Sequence, residues 1–334
     1  MIDRKNLGLI ILILVVSGAV AILNPRFLSP VNLSNTANLI GLFGIFAIAQ
    51  AFVIISGGIE LSSGSVIALL GVIFVDLVGN DVLSPLSATL LVLVLGALIG
   101  AVHGVLVARV GLQPFVVTLC GLLIYRGVAR YYTEDATAGF AFGASFPTLE
   151  WLTAGRILGV PNSLIAMLLI AVLTGVLLHR SVYGRTLLAT GRNPEGARYS
   201  GINTQAVLVV AYMLCAVLTA VSAIFIAMYT RSISPASHGN FYELYAIAAA
   251  VLGGCSLRGG EGSILGVVLG TVLLQVLQNL VNLLGIPSSL NFAVMGSVII
   301  LGVLVDNWFL KRKVVSPKEA EASVVSRGTS RGCQ

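Results

Sequence analysis

Long uninterrupted apolar runs recur along nearly the whole chain, and they restrict its fold more than any other feature. A run of about 20 apolar residues is long enough to cross the hydrocarbon core of a membrane as a helix. Charged residues make up only 10% of the 334 residues, whereas soluble domains carry roughly 25%. The chain is therefore predicted to be an all-α integral membrane protein without a large soluble domain.

Polar, Gly and Pro residues divide this apolar sequence into about ten predicted transmembrane spans. The spans cover residues 7–23, 38–56, 62–79, 86–108, 114–131, 162–179, 206–229, 244–256, 262–284 and 290–308. Residues 1–313 would form the transmembrane domain. Residues 314–334 lack the apolar surface that folding requires, so they are predicted to be a disordered cytoplasmic tail.

The distribution of positive charge indicates the orientation in the membrane. With the N-terminus in the cytoplasm, fourteen of the 19 Lys and Arg residues lie on the cytoplasmic side. This bias favours an even number of spans with both termini cytoplasmic. The longest outer loop is then 132–161 and the longest cytoplasmic loop 181–205. Because orientation accounts for the net charge of +6, no nucleic-acid partner is predicted.

The sequence lacks the motifs of nucleotide-hydrolysing and metal-dependent membrane enzymes. All four lysines lie near the termini and none follows a glycine, so a phosphate-binding Walker A loop is absent. His103, His179 and His238 are isolated and show no metal-ligand spacing. We predict no enzymatic activity, no cofactor and no metal in this chain. If ATP drives transport, ATP and Mg²⁺ must bind a partner subunit.

The cytoplasmic loop carries the start and stop signals of a short helix. Asn193 is a good N-cap, Pro194 suits the first helical position, and Glu195 faces the positive helix end. Gly201 can end the helix in the left-handed conformation. The sequence predicts about two turns outside the bilayer. A helix this short is marginal alone, so it either docks on lipid headgroups or a protein, or serves as a solvated connector.

Three motifs in this sequence resemble those of a known family. The first, G-x-N-x-x-A-A-x-x-S-G-I, is matched in the cytoplasmic loop by Gly191, Asn193, Ala197, Ser200, Gly201 and Ile202, with Gly196 replacing one Ala. The second is S-G-G-I-E-L-S-S-G-S at 56–65, where Glu60 replaces Asp, and the third is L-G-G-C-S-L-R-G-G-E-G at 252–262. With further similar stretches between residues 24 and 307, the chain resembles permease subunits of bacterial ABC importers of ribose and related monosaccharides.

The resemblance implies a multi-pass permease of the bacterial inner membrane that moves a monosaccharide by alternating access. It implies four kinds of partner: ABC ATPase subunits, a periplasmic or lipoprotein sugar-binding protein, a second permease copy or a paralogue, and membrane lipid. The ATPase-coupling residues would be Asn193, Pro194, Glu195, Ala197, Ser200 and Gly201. The alternative is an ion-coupled secondary transporter of a small polar solute. The absence of a carboxylate placed convincingly at a midplane counts against it.

A glycine-rich segment between the eighth and ninth spans is predicted to lie on the same side as the coupling loop. It could form a second surface for the ATPase, or it could be an internal hinge. Its candidate residues are Gly253, Gly254, Arg258, Gly259, Gly260 and Glu261.

Polar side chains inside the spans are candidates for a solute path. Four amides recur at three- and four-residue spacing and form one stripe on the ninth span: Gln275, Gln278, Asn279 and Asn282. Amides both donate and accept hydrogen bonds, so the stripe suits sugar hydroxyls, but it could equally bind neighbouring spans. Glu60 could contact solute or cap the following helix. His103 is interpreted as a helix-packing residue.

Overall fold

A computed structural model describes residues 4–287 of the chain and single positions between 290 and 300. The fold is mostly helical. Residues 4–286 lie in one compact unit, which holds every helix described below. The predicted tenth span, apart from those single positions, and the predicted tail at 314–334 lie outside the described residues.

The described residues form twelve α-helices and four very short strands. The helices are α1 (Arg4–Leu23), α2 (Pro30–Ile55), α3 (Ser63–Gly79), α4 (Pro85–Ala108), α5 (Pro114–Tyr132), α6 (Pro147–Ala154), α7 (Asn162–Arg180), α8 (Val182–Arg192), α9 (Pro194–Tyr199), α10 (Thr204–Thr230), α11 (Tyr242–Leu252) and α12 (Ile264–Leu283). A 3₁₀ helix spans Pro25–Leu28. Strand β1 (Ala138–Gly139) pairs with β4 (Ser232–Ile233), and β2 (Arg156–Ile157) with β3 (Val160–Pro161), both antiparallel.

Several of these helices can cross a membrane. Within the described residues, six are long and apolar enough: α1, α2, α4, α7, α10 and α12. Helices α3 and α11 are apolar but shorter. Helix α5 coincides with the predicted fifth span, although it contains Arg126 and Arg130. These helices support a multi-pass all-α membrane protein, while the total of ten spans and the cytoplasmic termini stay predictions.

Two helix boundaries differ from the predicted ones because capping residues set them. Helix α2 begins at Pro30, eight residues before the predicted start, since Ser29 Oγ accepts the amide of Asn32 at 3.3 Å. The apolar run alone did not show this polar first part of the helix. Helix α11 ends at Leu252 rather than 256, because Gly254 adopts a left-handed φ of 91°.

Close backbone contacts hold the bundle together. Helix α2 is buried almost continuously from Gly41 to Ile55, and it packs on α7, α10, α11 and α12. Gly96, Gly100 and Gly104 recur every four residues along the face of α4 that packs on α10; a Cβ at Gly104 would lie 2.6 Å from the Val209 Cα. Small residues at this spacing allow two helices in lipid to approach closely.

Two long helices, α2 and α10, are each followed by an irregular segment and a shorter apolar helix. We call residues 56–62, which join α2 to α3, the first break. Residues 234–241, which precede α11, are the second break. The first turns of α3 and α11 meet, because Gly64 contacts the carbonyl oxygen of Gly239 and the carboxylate of Glu243. The bundle thus brings two helix N-termini and two irregular segments together, an arrangement typical of transport proteins.

Candidate functional site

The predicted short helix of the cytoplasmic loop is present as α9. Asn193 Oδ1 accepts the amide of Gly196 at 2.9 Å, and Pro194 occupies the first turn. Gly201 has a φ of 82°, and the Ile202 amide donates to the Ala197 carbonyl at 3.1 Å, which closes the C-terminal end. The predicted caps at both ends of the helix are confirmed.

The loop also contains a helix that the sequence analysis missed, α8. Ser181 Oγ caps it by accepting the amide of Gly184 at 3.1 Å. The Tyr183 hydroxyl donates to the Val207 carbonyl at 3.3 Å and so ties α8 to α10; burial raises the pKa of this hydroxyl. A capping Ser followed by apolar residues at helical spacing was the available signal. Helix α8 therefore connects α9 to the rest of the bundle as a folded segment rather than as a flexible connector.

Helix α9 turns a polar surface outward. Five of the six predicted coupling residues are exposed: Asn193, Pro194, Glu195, Ser200 and Gly201. Ala197 is only 6% exposed, so it packs α9 onto the rest of the chain. In this conformation a partner could touch the five exposed residues, whereas Ala197 supports the helix from behind.

A junction of glycines joins the coupling loop to the end of α2 and to the glycine-rich segment. The Gly260 amide donates to the Ile55 carbonyl at 2.8 Å. A Cβ at Gly191 would collide with that same carbonyl, and one at Gly259 would lie 2.6 Å from the Gly191 oxygen. Gly57 lies at the same place. The coupling loop and the glycine-rich segment, which were predicted to lie on the same side, are thus in direct backbone contact.

The other residues of the glycine-rich segment occupy two different settings. Arg258 and Glu261 are exposed beside the junction, and the Ser256 amide donates to the Glu261 carbonyl at 3.1 Å. Gly253 lies away from the junction, against the backbone of Gly266 on α12. Within the segment, Gly259 and Gly260 require left-handed φ values of 81° and 76°.

A buried polar network surrounds Glu60 in the first break. Glu60 Oε1 accepts the Ser62 amide at 2.7 Å and the Ser62 hydroxyl at 2.6 Å, and Oε2 lies 3.0 Å from His103 Nδ1. His103 Nε2 lies 2.9 Å from the Tyr125 hydroxyl. Gln50 Nε2 donates to the Glu60 carbonyl at 2.9 Å. The network joins the first break to α2, α4 and α5.

This network buries a carboxylate among the helices. Glu60 and His103 are 4% and 3% exposed, so a carboxylate does lie deep in the helical bundle. The sequence analysis placed this segment between two predicted spans, and in the structure it folds back between the helices. His103 is a packing residue as predicted, yet it is also the partner of Glu60 at a separation of 43 residues, which the sequence did not reveal.

The four amide side chains of the α12 stripe differ in burial and in their hydrogen-bond partners. Asn279 and Asn32 exchange two side-chain hydrogen bonds, at 3.1 and 2.8 Å, so Asn279 binds α12 to α2. Gln275 is 3% exposed, Gln278 is half-buried and Asn282 is exposed. Helix packing therefore occupies Asn279.

No cluster of three or more His, Cys, Asp or Glu side chains in the described part of the chain could hold a metal ion.

The comparisons with known proteins agree on one family. A profile described as "Branched-chain amino acid transport system / permease component" matches residues 32–303. The chain belongs to this permease family. Its relatives in the family are permease components of transporters rather than enzymes.

Relatives of known name are similar over most of their length. The ribose import permease protein of Escherichia coli (strain K12) is 38% identical over 92% of this permease and 94% of its own chain. The ribose import permease protein of Bacillus subtilis (strain 168) is 37% identical over 90% and 91%. The fructose import permease protein of Bifidobacterium longum is 32% identical over 77% and 72%. No solved structure matches this permease significantly.

Proposed function

We propose that this chain is the membrane permease subunit of an ABC importer for a monosaccharide, ribose or a related sugar. The observation that carries the proposal is the 38% identity to a ribose import permease over more than nine tenths of both chains. The family description names branched-chain amino acids, but the relatives described above are named for ribose and fructose. The sugar is therefore the favoured substrate class.

The proposed site of coupling is the exposed surface of α9. ATPase subunits, which would bind ATP and Mg²⁺, close on Asn193, Pro194, Glu195, Ser200 and Gly201 from the cytoplasm. Alternating access then needs a route from that surface to the membrane helices. The contacts of Gly191 with Gly260 and with the end of α2 support such a route, because backbone in direct contact transmits a displacement without side-chain rearrangement.

The remaining partners follow from the same proposal. A sugar-binding protein delivers solute to the outer loops in the bacterial inner membrane, and a second permease copy or a paralogue completes the pore. Gln275 and Gln278 are the amides of the α12 stripe that we assign to the solute path, because Asn279 is engaged by Asn32. Asn282 and Glu60 are assigned a smaller role in the solute path. Asn282 is exposed, and the Glu60 carboxylate is bound by Ser62 and His103.

A second candidate function is ion-coupled secondary transport, and the buried Glu60–His103 pair favours it. Ionisable residues inside a membrane bundle are expensive, and they often take part in ion or proton transfer. In this structure, however, both partners also fix the shape of the first break. The sequence relationship to import permeases therefore ranks ABC transport first.

Reconstitution distinguishes these functions. The permease is placed in proteoliposomes with ATPase subunits and a sugar-binding protein from the same organism, and uptake of labelled ribose, fructose and leucine is measured. We expect sugar uptake that requires internal ATP and both partners. Uptake by the permease alone under an ion gradient would establish the secondary transporter instead. ATP-dependent uptake of leucine without sugar would overturn the proposed substrate class.

A further inference from the structure

Helix α5 contacts the first break at two points about two turns apart. Near its beginning, the Thr118 hydroxyl lies 3.1 Å from the Ile59 carbonyl oxygen, and it shares its one proton between this carbonyl and that of Pro114 on its own helix, at 3.0 Å. Further along, the Tyr125 hydroxyl lies 2.9 Å from His103 Nε2, and the other ring nitrogen of His103 lies 3.0 Å from Glu60. Helix α5 thus contacts a backbone carbonyl of the first break directly. It contacts the Glu60 side chain of the same break through His103.

The residue after Tyr125 holds the second break. Arg126 Nη1 donates to the Pro235 carbonyl at 2.7 Å and to the His238 carbonyl at 2.6 Å. Neither carbonyl accepts a backbone hydrogen bond from the residues that the structure describes. Irregular backbone within a membrane bundle needs internal partners for such groups, and an arginine there needs acceptors. Arg126 thus provides the donor that the two carbonyls need, and the carbonyls provide the acceptors that the guanidinium needs.

Tyr125 and Arg126, which are neighbours in sequence, thus connect α5 to both breaks, Tyr125 through His103 and Arg126 directly. The breaks also touch each other's helices, since Gly64 at the start of α3 contacts Gly239. The side of α5 opposite Tyr125 is exposed, with Leu123 and Val116 at 65% and 45% exposure. The helix is thus bound to the rest of the bundle on one side only.

We propose that α5 is a shared support for the two breaks, with Thr118, Tyr125 and Arg126 as positioning residues that make both breaks shift together when α5 moves. The inference rests on the proposed function in one respect, namely that the breaks are parts that rearrange during transport. The contacts on which it depends are independent of the substrate and of the ATPase.

Amide hydrogen exchange on the purified full-length permease in lipid nanodiscs tests the shared support. Peptides that cover 56–62 and 234–241 are followed by mass spectrometry in the parent protein and in Arg126→Gln, Arg126→Lys and Tyr125→Phe. We expect Arg126→Gln to speed exchange by roughly tenfold in 234–241 and also measurably in 56–62. Tyr125→Phe should speed exchange in both segments as well, and Arg126→Lys, which keeps a charged donor, should restore most of the protection.

Arg130 provides the matched control. It lies one turn further along α5, where it pairs with the exposed Asp135 at 2.5 Å, and Arg130→Gln should leave exchange in both breaks unchanged. If Arg126→Gln affects only 234–241 and Tyr125→Phe only 56–62, each contact is local and the shared support is refuted. If Arg126→Gln does not fold, Tyr125→Phe and Thr118→Ala carry the test. Because exchange is read without ATPase or sugar, a negative result leaves the proposed function untouched.

Discussion

The backbones of Gly191 and Gly260 are in contact: a Cβ on Gly191 would lie 2.6 Å from the Gly260 amide nitrogen. These two residues belong to the coupling loop and to the glycine-rich segment, which are nearly 70 residues apart in sequence. The contact leaves no room for a side chain on Gly191. A partner that displaces either segment therefore displaces the other, so we treat the two as one surface for the proposed ATPase.

Replacing Gly201 tests whether the end of α9 matters for coupling. Gly201 has a φ of 82° and open space around it, so a substitution meets backbone strain without any clash. We expect Gly201→Val to cost about 1–2 kcal/mol locally and to unwind the last turn of α9. ATPase co-purification and ATP-driven uptake should both fall. Gly201→Asn is the control, because Asn tolerates this conformation; full association by the Val variant would contradict the coupling assignment.

A double-mutant cycle tests the Glu60–His103 contact. His103→Ala leaves a carboxyl group that is 4% exposed with one partner fewer, and removing one member of a buried pair costs about 3 kcal/mol. We expect a clear drop in the midpoint of thermal unfolding in detergent. Glu60→Gln completes the cycle, and the double variant Glu60→Gln/His103→Ala should be more stable than His103→Ala alone, because it no longer buries an acid that has lost its His103 partner. Strict additivity would show that the two residues do not interact.

Two glycines of α5 form a matched pair for the packing of His103. A Cβ at Gly121 would lie 2.8 Å from His103 Nε2 and 3.1 Å from the Ser62 Cβ, whereas Gly127 has nothing within 4 Å. The imidazole is held on both sides, so it cannot move away freely. Gly121→Ala should destabilise the permease by about 1–3 kcal/mol. Gly127→Ala should stabilise it by about 0.5–1 kcal/mol, and equal effects on thermal unfolding would argue against the described packing.

The α12 stripe can be divided experimentally into packing and path residues. Asn279→Ala removes both hydrogen bonds to Asn32, and we expect a loss of about 0.6–1.7 kcal/mol in stability. Asn282→Ala alters an exposed amide, so its effect on stability should stay within about 0.5 kcal/mol. Thermal unfolding and sugar affinity are measured in parallel. A weaker sugar affinity for Asn279→Ala at unchanged stability would assign Asn279 to the path instead.

Local features of the coupling loop were predictable because they depend on neighbouring residues. The N-cap bond from Gly196 to Asn193 spans three positions, and the conformation of Gly201 follows from the lack of a Cβ. Most of the spans also follow directly from length and hydropathy. The same local mechanism, an N-cap at Ser29, sets the start of α2. The prediction placed this start eight residues too late, because it followed only the apolar run.

The network around Glu60 could not be predicted, because tertiary packing creates it. Glu60, His103 and Tyr125 come from three different elements, and only the return of the first break into the bundle brings them together. Nothing in the sequence indicated that Arg126 binds the second break. Hydropathy registers how polar a residue is and gives no information about which distant residue will satisfy it.

Arg126 binds carbonyl oxygens, which every residue of the second break possesses, and this has a consequence for variation among permeases. The hold of α5 on this segment does not depend on which side chains the segment carries. Exposed positions such as Ser237 and Asn240 can change identity while the arginine keeps its two acceptors. Side chains along 234–241 can therefore be replaced without a compensating substitution in α5.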